Sequence, residues 1–208
     1  MASQLGFYHN ADICIGCKAC VIACKDKNDL TVGHKFRRVF DYGGGSWTVE
    51  NGACKPVDQF IYSLSTSCNH CAQPACVANC PVGAMQKREE DGIVFVDQER
   101  CIACGTCEKV CPYGQPKVNK DLGYSQKCDF CKSLLANGEN PACVDACVTR
   151  ALQFGPLDDL LAEYGNVQWI PPLTKDTGTY PSVVFTPSRL NPDNALEGAI
   201  INPLEEIL

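Results

Sequence analysis

The sequence predicts an α+β chain made of two similar cysteine-bracketed modules, a β-rich insertion and an extended C-terminal segment. Three observations predict it. First, sixteen of the seventeen cysteines in the 208 residues fall into four groups: Cys14, Cys17, Cys20, Cys24; Cys68, Cys71, Cys76, Cys80; Cys101, Cys104, Cys107, Cys111; and Cys128, Cys131, Cys143, Cys147. In each group a three-residue gap separates the third cysteine from the fourth. Second, a similar sequence follows the last cysteine twice, as Pro81-Val82-Gly83-Ala84-Met85 and as Val148-Thr149-Arg150-Ala151-Leu152, which marks an internal repeat. Third, the intervening stretches differ in character, one hairpin-like, one glycine-bearing and one punctuated by proline.

Taken in order, the elements follow from local chemistry. Short helices are expected near the third cysteines, over 19–25 and 75–79, with Pro81 and Pro112 ending the helix directly after the fourth. Residues 31–64 carry Phe36-Arg37-Arg38-Val39-Phe40 and Phe60-Ile61-Tyr62 on either side of Gly43-Gly44-Gly45, which predicts strands around a glycine-rich loop. Ala84–Lys87 and Ile93–Val96 flank Asp91-Gly92, a hairpin signal, and the charged run 87–91 is expected to be its solvated turn. A helix is expected over 156–164. Beyond it, Pro171, Pro172, Pro181, Pro187, Pro192 and Pro203 interrupt a segment with little periodic core signal, which is expected to lie on a partner rather than on its own chain.

The spacing also dictates chemistry. The first and third groups follow C-x2-C-x2-C-x3-C, the bacterial ferredoxin run, while the second and fourth widen the middle gap. Three closely spaced thiolates can wrap three corners of a cubane; in two-cluster ferredoxins the fourth cysteine ligates the other cluster. Exchange of the fourth ligand pairs groups two by two, and the second and third, separated only by a hairpin, form the obvious pair. The first and fourth then pair across the chain. The resulting expectation is four 4Fe-4S clusters: cluster 1 on Cys14, Cys17, Cys20 and Cys147; cluster 2 on Cys128, Cys131, Cys143 and Cys24; cluster 3 on Cys68, Cys71, Cys76 and Cys111; cluster 4 on Cys101, Cys104, Cys107 and Cys80. Residues 1–30 with 115–155 form one ferredoxin-like module, 31–64 the insertion, 65–114 the second module and 156–208 a partner-docking segment.

Other readings fare less well. Disulfide scaffolds are usually short secreted chains, the cysteine count is odd, and no secretory leader is visible in residues 1–8. Zinc sites need two C-x2-C pairs and leave the repeated third and fourth thiols unexplained. Cys54 lies outside every group and reads as a structural thiol. His70, between Cys68 and Cys71, reads as a loop residue donating a hydrogen bond near a cluster, since a Rieske-type site needs two histidines on one iron. Lys18, Arg100, Lys109, Lys127 and Lys132 stand beside ligands, where positive charge favours a reduced cluster. The net charge of -6 and the lack of a basic stripe exclude nucleic acid as a partner, and no apolar run is long enough to span a bilayer.

Several segments carry a family resemblance: Cys14-Ile15-Gly16-Cys17-Lys18-Ala19-Cys20, Phe36-Arg37-Arg38, Ser67-Cys68-Asn69-His70-Cys71, Pro74-Ala75-Cys76, Cys80-Pro81 with Gly83-Ala84-Met85, Lys87-Arg88-Glu89, and Cys111-Pro112-Tyr113-Gly114. From Phe7 to about Pro156 the chain resembles the four-cluster iron–sulfur subunits of molybdopterin oxidoreductases, in particular the dimethyl sulfoxide reductase branch. The resemblance implies a non-catalytic electron-transfer subunit in a heterotrimer, between a molybdopterin catalytic subunit and a quinol-oxidising membrane anchor. Some relatives place Trp where this chain has Cys107, and then hold a 3Fe-4S cluster; here four cubanes are implied. Formate dehydrogenase relatives add a membrane helix that this tail lacks. The resemblance also implies membrane association through the partner, on the periplasmic face if the chain is exported beside a twin-arginine catalytic subunit and otherwise on the cytoplasmic face. The same wire would serve a tetrathionate, thiosulfate, polysulfide or selenate reductase, and a freestanding polyferredoxin is the alternative from another class.

Overall fold

The computed structural model describes residues 3–175 and 177–203, so the last five residues of the tail, and Met1 and Ala2 before the first strand, lie outside the described residues. In chain order the elements are β1 (Leu5–Asn10), α1 (Ala19–Lys27), β2 (Arg38–Glu50), β3 (Ala53–Thr66), α2 (Ala75–Ala78), β4 (Met85–Lys87), β5 (Val94–Val96), α3 (Thr106–Val110), β6 (Lys117–Asn119), β7 (Tyr124–Gln126), α4 (Lys132–Ala136), α5 (Ala142–Asp145), β8 (Leu152–Pro156), α6 (Leu157–Tyr164), β9 (Val183–Thr186) and β10 (Ala199–Ile200). Helix and strand are mixed along the chain, as an α+β reading requires. The helices near the third cysteines form where expected. Helix α1 runs on through Cys24, whereas α2 and α5 stop two residues before Cys80 and Cys147 and α3 one residue before Cys111. These last three helices end ahead of the fourth cysteine rather than at the proline after it, and α5 does so with Val148 in the proline's place.

Two sheets frame the cysteine-rich centre. In the first, β1 lies between β8 and β9, antiparallel to β8 with Phe7 opposite Phe154, and parallel to β9 with Phe7 opposite Val183. Phe7 stacks on Phe130 at 4.1 Å between ring centroids. Helix α6 covers this sheet with Leu160 against Tyr8 and Val184, and Tyr164 stacks on Tyr8 at 3.7 Å. The second sheet is the long β2–β3 hairpin with β10 on its outer edge. Two small hairpins complete the fold, β4–β5 with Met85 opposite Val96, and β6–β7 with Lys117 opposite Gln126.

Three expectations need correction. Gly43-Gly44-Gly45 is not a loop but the middle of β2, and the hairpin turns instead at Asn51-Gly52, both in the left-handed region that Asn-Gly favours. The glycines are needed for close approach. A Cβ on Gly44 would lie 2.5 Å from the Glu197 carbonyl oxygen and 3.0 Å from the Gly198 Cα, so the strand surface is bared to admit β10. Gly44→Ala should therefore detach β10, at a cost of about 1–3 kcal/mol. A lowered thermal midpoint, with new protease cleavage after residue 186, is the expected readout; wild-type behaviour in both would refute it.

The tail is the second correction. It packs on its own chain: Ile170, Val184 and Phe185 are among the most deeply buried residues, and the Tyr62 hydroxyl donates to the Pro171 carbonyl at 2.7 Å. Its proline-rich connections hid the Val-Val-Phe run that becomes β9. The third concerns the turn 88–92. Arg88 pairs with Glu90 and Asp91 as a solvated turn should, but Lys87 turns inward, donating to the Cys71 carbonyl and to Gln4 Oε1, both at 2.7 Å.

Candidate metal centres

The loops that carry the thiols share one backbone device. The residue before each second cysteine is left-handed: Gly16 (φ 64°), His70 (φ 42°), Ala103 (φ 53°) and Phe130 (φ 61°). Gly83, Gly114 and Arg150, three residues past a fourth cysteine, are left-handed too, and their N–H groups donate back to the Cys80, Cys111 and Cys147 carbonyls. Such alternation turns successive N–H groups to one side, the geometry that receives an anion. Backbone N–H groups reach sulfur, among them Ser125 N–H to Cys101 Sγ at 3.3 Å, and Met85 N–H to Cys80 Sγ and Phe130 N–H to Cys128 Sγ, both at 3.4 Å.

The structure brings the thiols together in sets that cross the sequence groups. Cys68, Cys71, Cys76 and Cys111 line one cavity with Pro74, Val94 and Pro112. Cys80, Cys101, Cys104 and Cys107 line a second with Met85, Val96 and Ser125. At the other end of the chain α1 packs against α5. There Cys14 interacts with Cys20, Cys147 and Cys17, while Cys24 interacts with Cys143 and Cys131, and Cys128 with Cys24 and Cys143. The sets also adjoin one another, through Cys20 and Cys143 on one side and through Cys128 and Cys68 on the next. Cys17 and Cys104 are exposed, while the sets between them are mostly buried. Cys54, also exposed, sits on the outer arm of the β2–β3 hairpin opposite Val49, so it is not a packed structural thiol.

These donors fit a polynuclear iron cofactor. Burial first, and then the neighbouring thiolates, push Cys14 and Cys71 up to about 11 and Cys24 and Cys76 up to about 12. Left to themselves those groups would stay protonated at neutral pH, and a cationic centre is what would hold them as thiolates.

Fixed positive charge surrounds the thiols. Lys127, 4% exposed, donates to the Cys128 carbonyl at 2.7 Å and to the Val94 carbonyl. Arg38 donates to the Gly114 carbonyl at 2.8 Å, next to Cys111. Of the other cations expected near ligands, Arg100 pairs with Asp97 at 3.2 Å in solvent, Lys132 lies 4.2 Å from the Phe95 ring centre, Lys109 acts on Cys104, and Lys18 is the left-handed residue at the start of α1. His70 is fully buried, and its Nδ1 accepts from the Val94 N–H at 2.9 Å, so the proton resides on Nε2. Burial, then Lys127, Lys87 and Arg37, hold its pKa well below the usual histidine value, so the ring is neutral.

The residue that sequence reading overlooked is Arg37. It is 2% exposed, its guanidinium donates to Ser65 and Ser67, and it lies 4.8 Å from the Phe7 ring centre. The available signal was an arginine set directly between Phe36 and a strand start whose Val39 and Tyr42 are buried.

Comparison with known proteins gives concordant results. Residues 59–157 match the family model described as a 4Fe-4S dicluster domain, and residues 11–32 match a 4Fe-4S binding domain. Over 206 residues, 99% of this sequence and 100% of the relative, it is 44% identical to the B subunit of anaerobic dimethyl sulfoxide reductase from Escherichia coli K12. It is also 44% identical to the subunit of that name in Haemophilus influenzae, over 97% of this sequence and 98% of that one. The thiosulfate reductase electron transfer subunit PhsB of Salmonella typhi is 39% identical over 160 residues, 76% of this sequence and 79% of the relative.

Proposed function

The chain belongs to the iron–sulfur subunit family of anaerobic dimethyl sulfoxide reductases, and on that premise we propose that it carries electrons through four 4Fe-4S clusters from a quinol-oxidising membrane anchor to a molybdopterin catalytic subunit. It is an electron-transfer subunit and not itself the catalyst. The observation that carries the reading is the crossing of the thiol sets, in which Cys111 joins the second group's cavity and Cys80 the third's.

We assign cluster 1 to Cys14, Cys17, Cys20 and Cys147; cluster 2 to Cys24, Cys128, Cys131 and Cys143; cluster 3 to Cys68, Cys71, Cys76 and Cys111; and cluster 4 to Cys80, Cys101, Cys104 and Cys107. Two ferredoxin-like modules follow, 1–30 with 115–155 and 65–114, joined by the insertion 31–64. The adjoining thiols Cys20 with Cys143 and Cys128 with Cys68 support a wire running from 1 to 4 in order, with the exposed Cys17 and Cys104 at its ends. Bound clusters supply one-electron chemistry at potentials set by charge, hydrogen bonds to sulfur and burial. The chain's residues supply the rest. The left-handed loops aim N–H groups at sulfur, Lys127 and Arg37 offset added negative charge, and Pro74, Val94 and Pro112 help to line the third site.

Heterotrimeric assembly would place the chain at a membrane through its anchor partner, on the periplasmic face if it is exported with its catalytic subunit. No helix among the described residues is long and apolar enough to cross a membrane. The full-length match to the dimethyl sulfoxide reductase subunit takes in the tail, whereas the thiosulfate reductase match covers 76% of the sequence, which favours the former oxidant. The segment 156–208 would dock partners with the surface it presents outside β9 and β10.

Iron and acid-labile sulfide in anaerobically purified protein test the reading. About 16 of each per chain are expected, without stoichiometric zinc; about 4 zinc and no sulfide would refute it.

A further inference from the structure

A buried guanidinium is costly unless negative charge lies close to it. Arg37 finds its hydrogen-bond partners in two serines rather than in a carboxylate: Nη1 donates to Ser65 Oγ at 3.1 Å and to the Ser65 carbonyl at 3.4 Å, and Nη2 donates to Ser67 Oγ at 2.9 Å. Its Nε is buried without a partner. The negative groups that favour its charge are Cys143, Cys20, Cys128 and Cys24, which belong to the first two thiol sets.

The donor inventory then fixes a direction. Arginine can only donate, so the Ser65 oxygen accepts from it and keeps its own proton to give elsewhere. The atom within reach is Cys20 Sγ, 3.2 Å from Ser65 Oγ. A hydroxyl whose lone pair is engaged by a cation is a stronger donor, and hydrogen bonds to a cluster's sulfur, like nearby positive charge, favour its reduced and more negative form.

The chain contains its own comparison. Cys107, the equivalent third cysteine of the third group, lies 3.3 Å from Ser125 Oγ. That hydroxyl is also 3.4 Å from the Lys117 carbonyl, which can only accept and therefore competes for its proton. One serine is thus pushed toward sulfur by a cation, and the other is drawn away by a carbonyl.

We propose that Arg37, acting through the Ser65 hydroxyl, is a positioning residue that raises the reduction potential of the cluster bound by Cys14, Cys17, Cys20 and Cys147. The proposal rests on the cluster assignment made above. One electron enters and leaves the cluster, supplied by the neighbouring one, while Arg37 and Ser65 neither gain nor lose a proton.

Redox titration of the anaerobically purified complex, followed by electron paramagnetic resonance, tests the relay. Cys20→Ser first identifies the signal belonging to that cluster. Ser65→Ala should move the same signal to lower potential by about tenfold in the reduced-to-oxidised ratio, about 59 mV for one electron, with iron and sulfide unchanged. Arg37→Gln should move it further and shift the signal of the Cys24, Cys128, Cys131, Cys143 set as well, and Arg37→Lys should restore part of the shift. Ser125→Ala should move a different signal, and by less. If Arg37→Gln loses its clusters, Ser65→Ala still decides. A Ser65→Ala protein with all clusters present and the Cys20 signal at its wild-type potential overturns the relay. A Cys20→Ser protein that alters no single signal overturns the assignment beneath it.

Discussion

Removing the iron should unfold most of this chain. The cysteines are not attachments to a finished core but part of the core itself. Cys20, Cys24, Cys68, Cys128 and Cys143 are members of the main buried cluster, and Cys76 and Cys107 with Met85 and Val94 make up a second. Between residues 67 and 151 the regular elements are helices of four or five residues and strands of three. Helices and hairpins of that size do not stand alone in water. Cofactor binding there is folding free energy, and a single structural metal site can contribute about 10–16 kcal/mol, against a net stability of about 5–15 kcal/mol for a domain. After anaerobic chelation, the cooperative thermal transition should disappear and amide protection should vanish from 67–151. Residual protection is expected only in the sheet of β1, β8 and β9 with α6, where Tyr8, Leu160 and Val184 pack without thiols. An iron-free protein with an unchanged melting curve would show that the apolar core suffices.

The second large effect concerns the two fourth cysteines that reach across the whole chain. Cys147→Ser is expected to damage the cluster held by Cys14, Cys17 and Cys20, although 127 positions separate Cys147 from Cys20. Cys24→Ser should damage the one held by Cys128, Cys131 and Cys143. In each variant iron should fall from about 16 toward about 12, and the other signals should persist. Because α1 packs on α5, both variants should also speed amide exchange in the two helices together. Loss confined to the clusters of the second and third groups would mean that the ends of the chain are not joined in this way.

How far the sequence could be read depended on whether each cause was local. Cysteine spacing is local for three thiols of each set, and so the four groups stood out at once, whereas the fourth thiol comes from another group and had to be argued from pairing. The β4–β5 hairpin was equally legible from Asp91-Gly92. Gly43–Gly45 misled because glycine serves both turns and close approach, and the strand it admits lies more than 150 residues away. His70 carries a left-handed backbone that no histidine advertises, imposed by the same loop geometry that Gly16 meets without strain. Arg37 looked like an ordinary strand residue because its partners, Ser65, Ser67 and Phe7, come from other segments. Val183–Phe185 had the composition of a strand but no visible neighbour, since its partner is β1 at the opposite end of the sequence.

That last pairing bears on how the molecule is made. Strand β1 is translated more than 140 residues ahead of its two neighbours, β8 and β9. The thiols of residues 14–24 likewise await companions from 128–147, whereas those of 68–80 and 101–111 are translated close together. All eight thiols of the two inner groups are therefore present once residue 111 has been made, whereas the outer sets stay incomplete until residue 147.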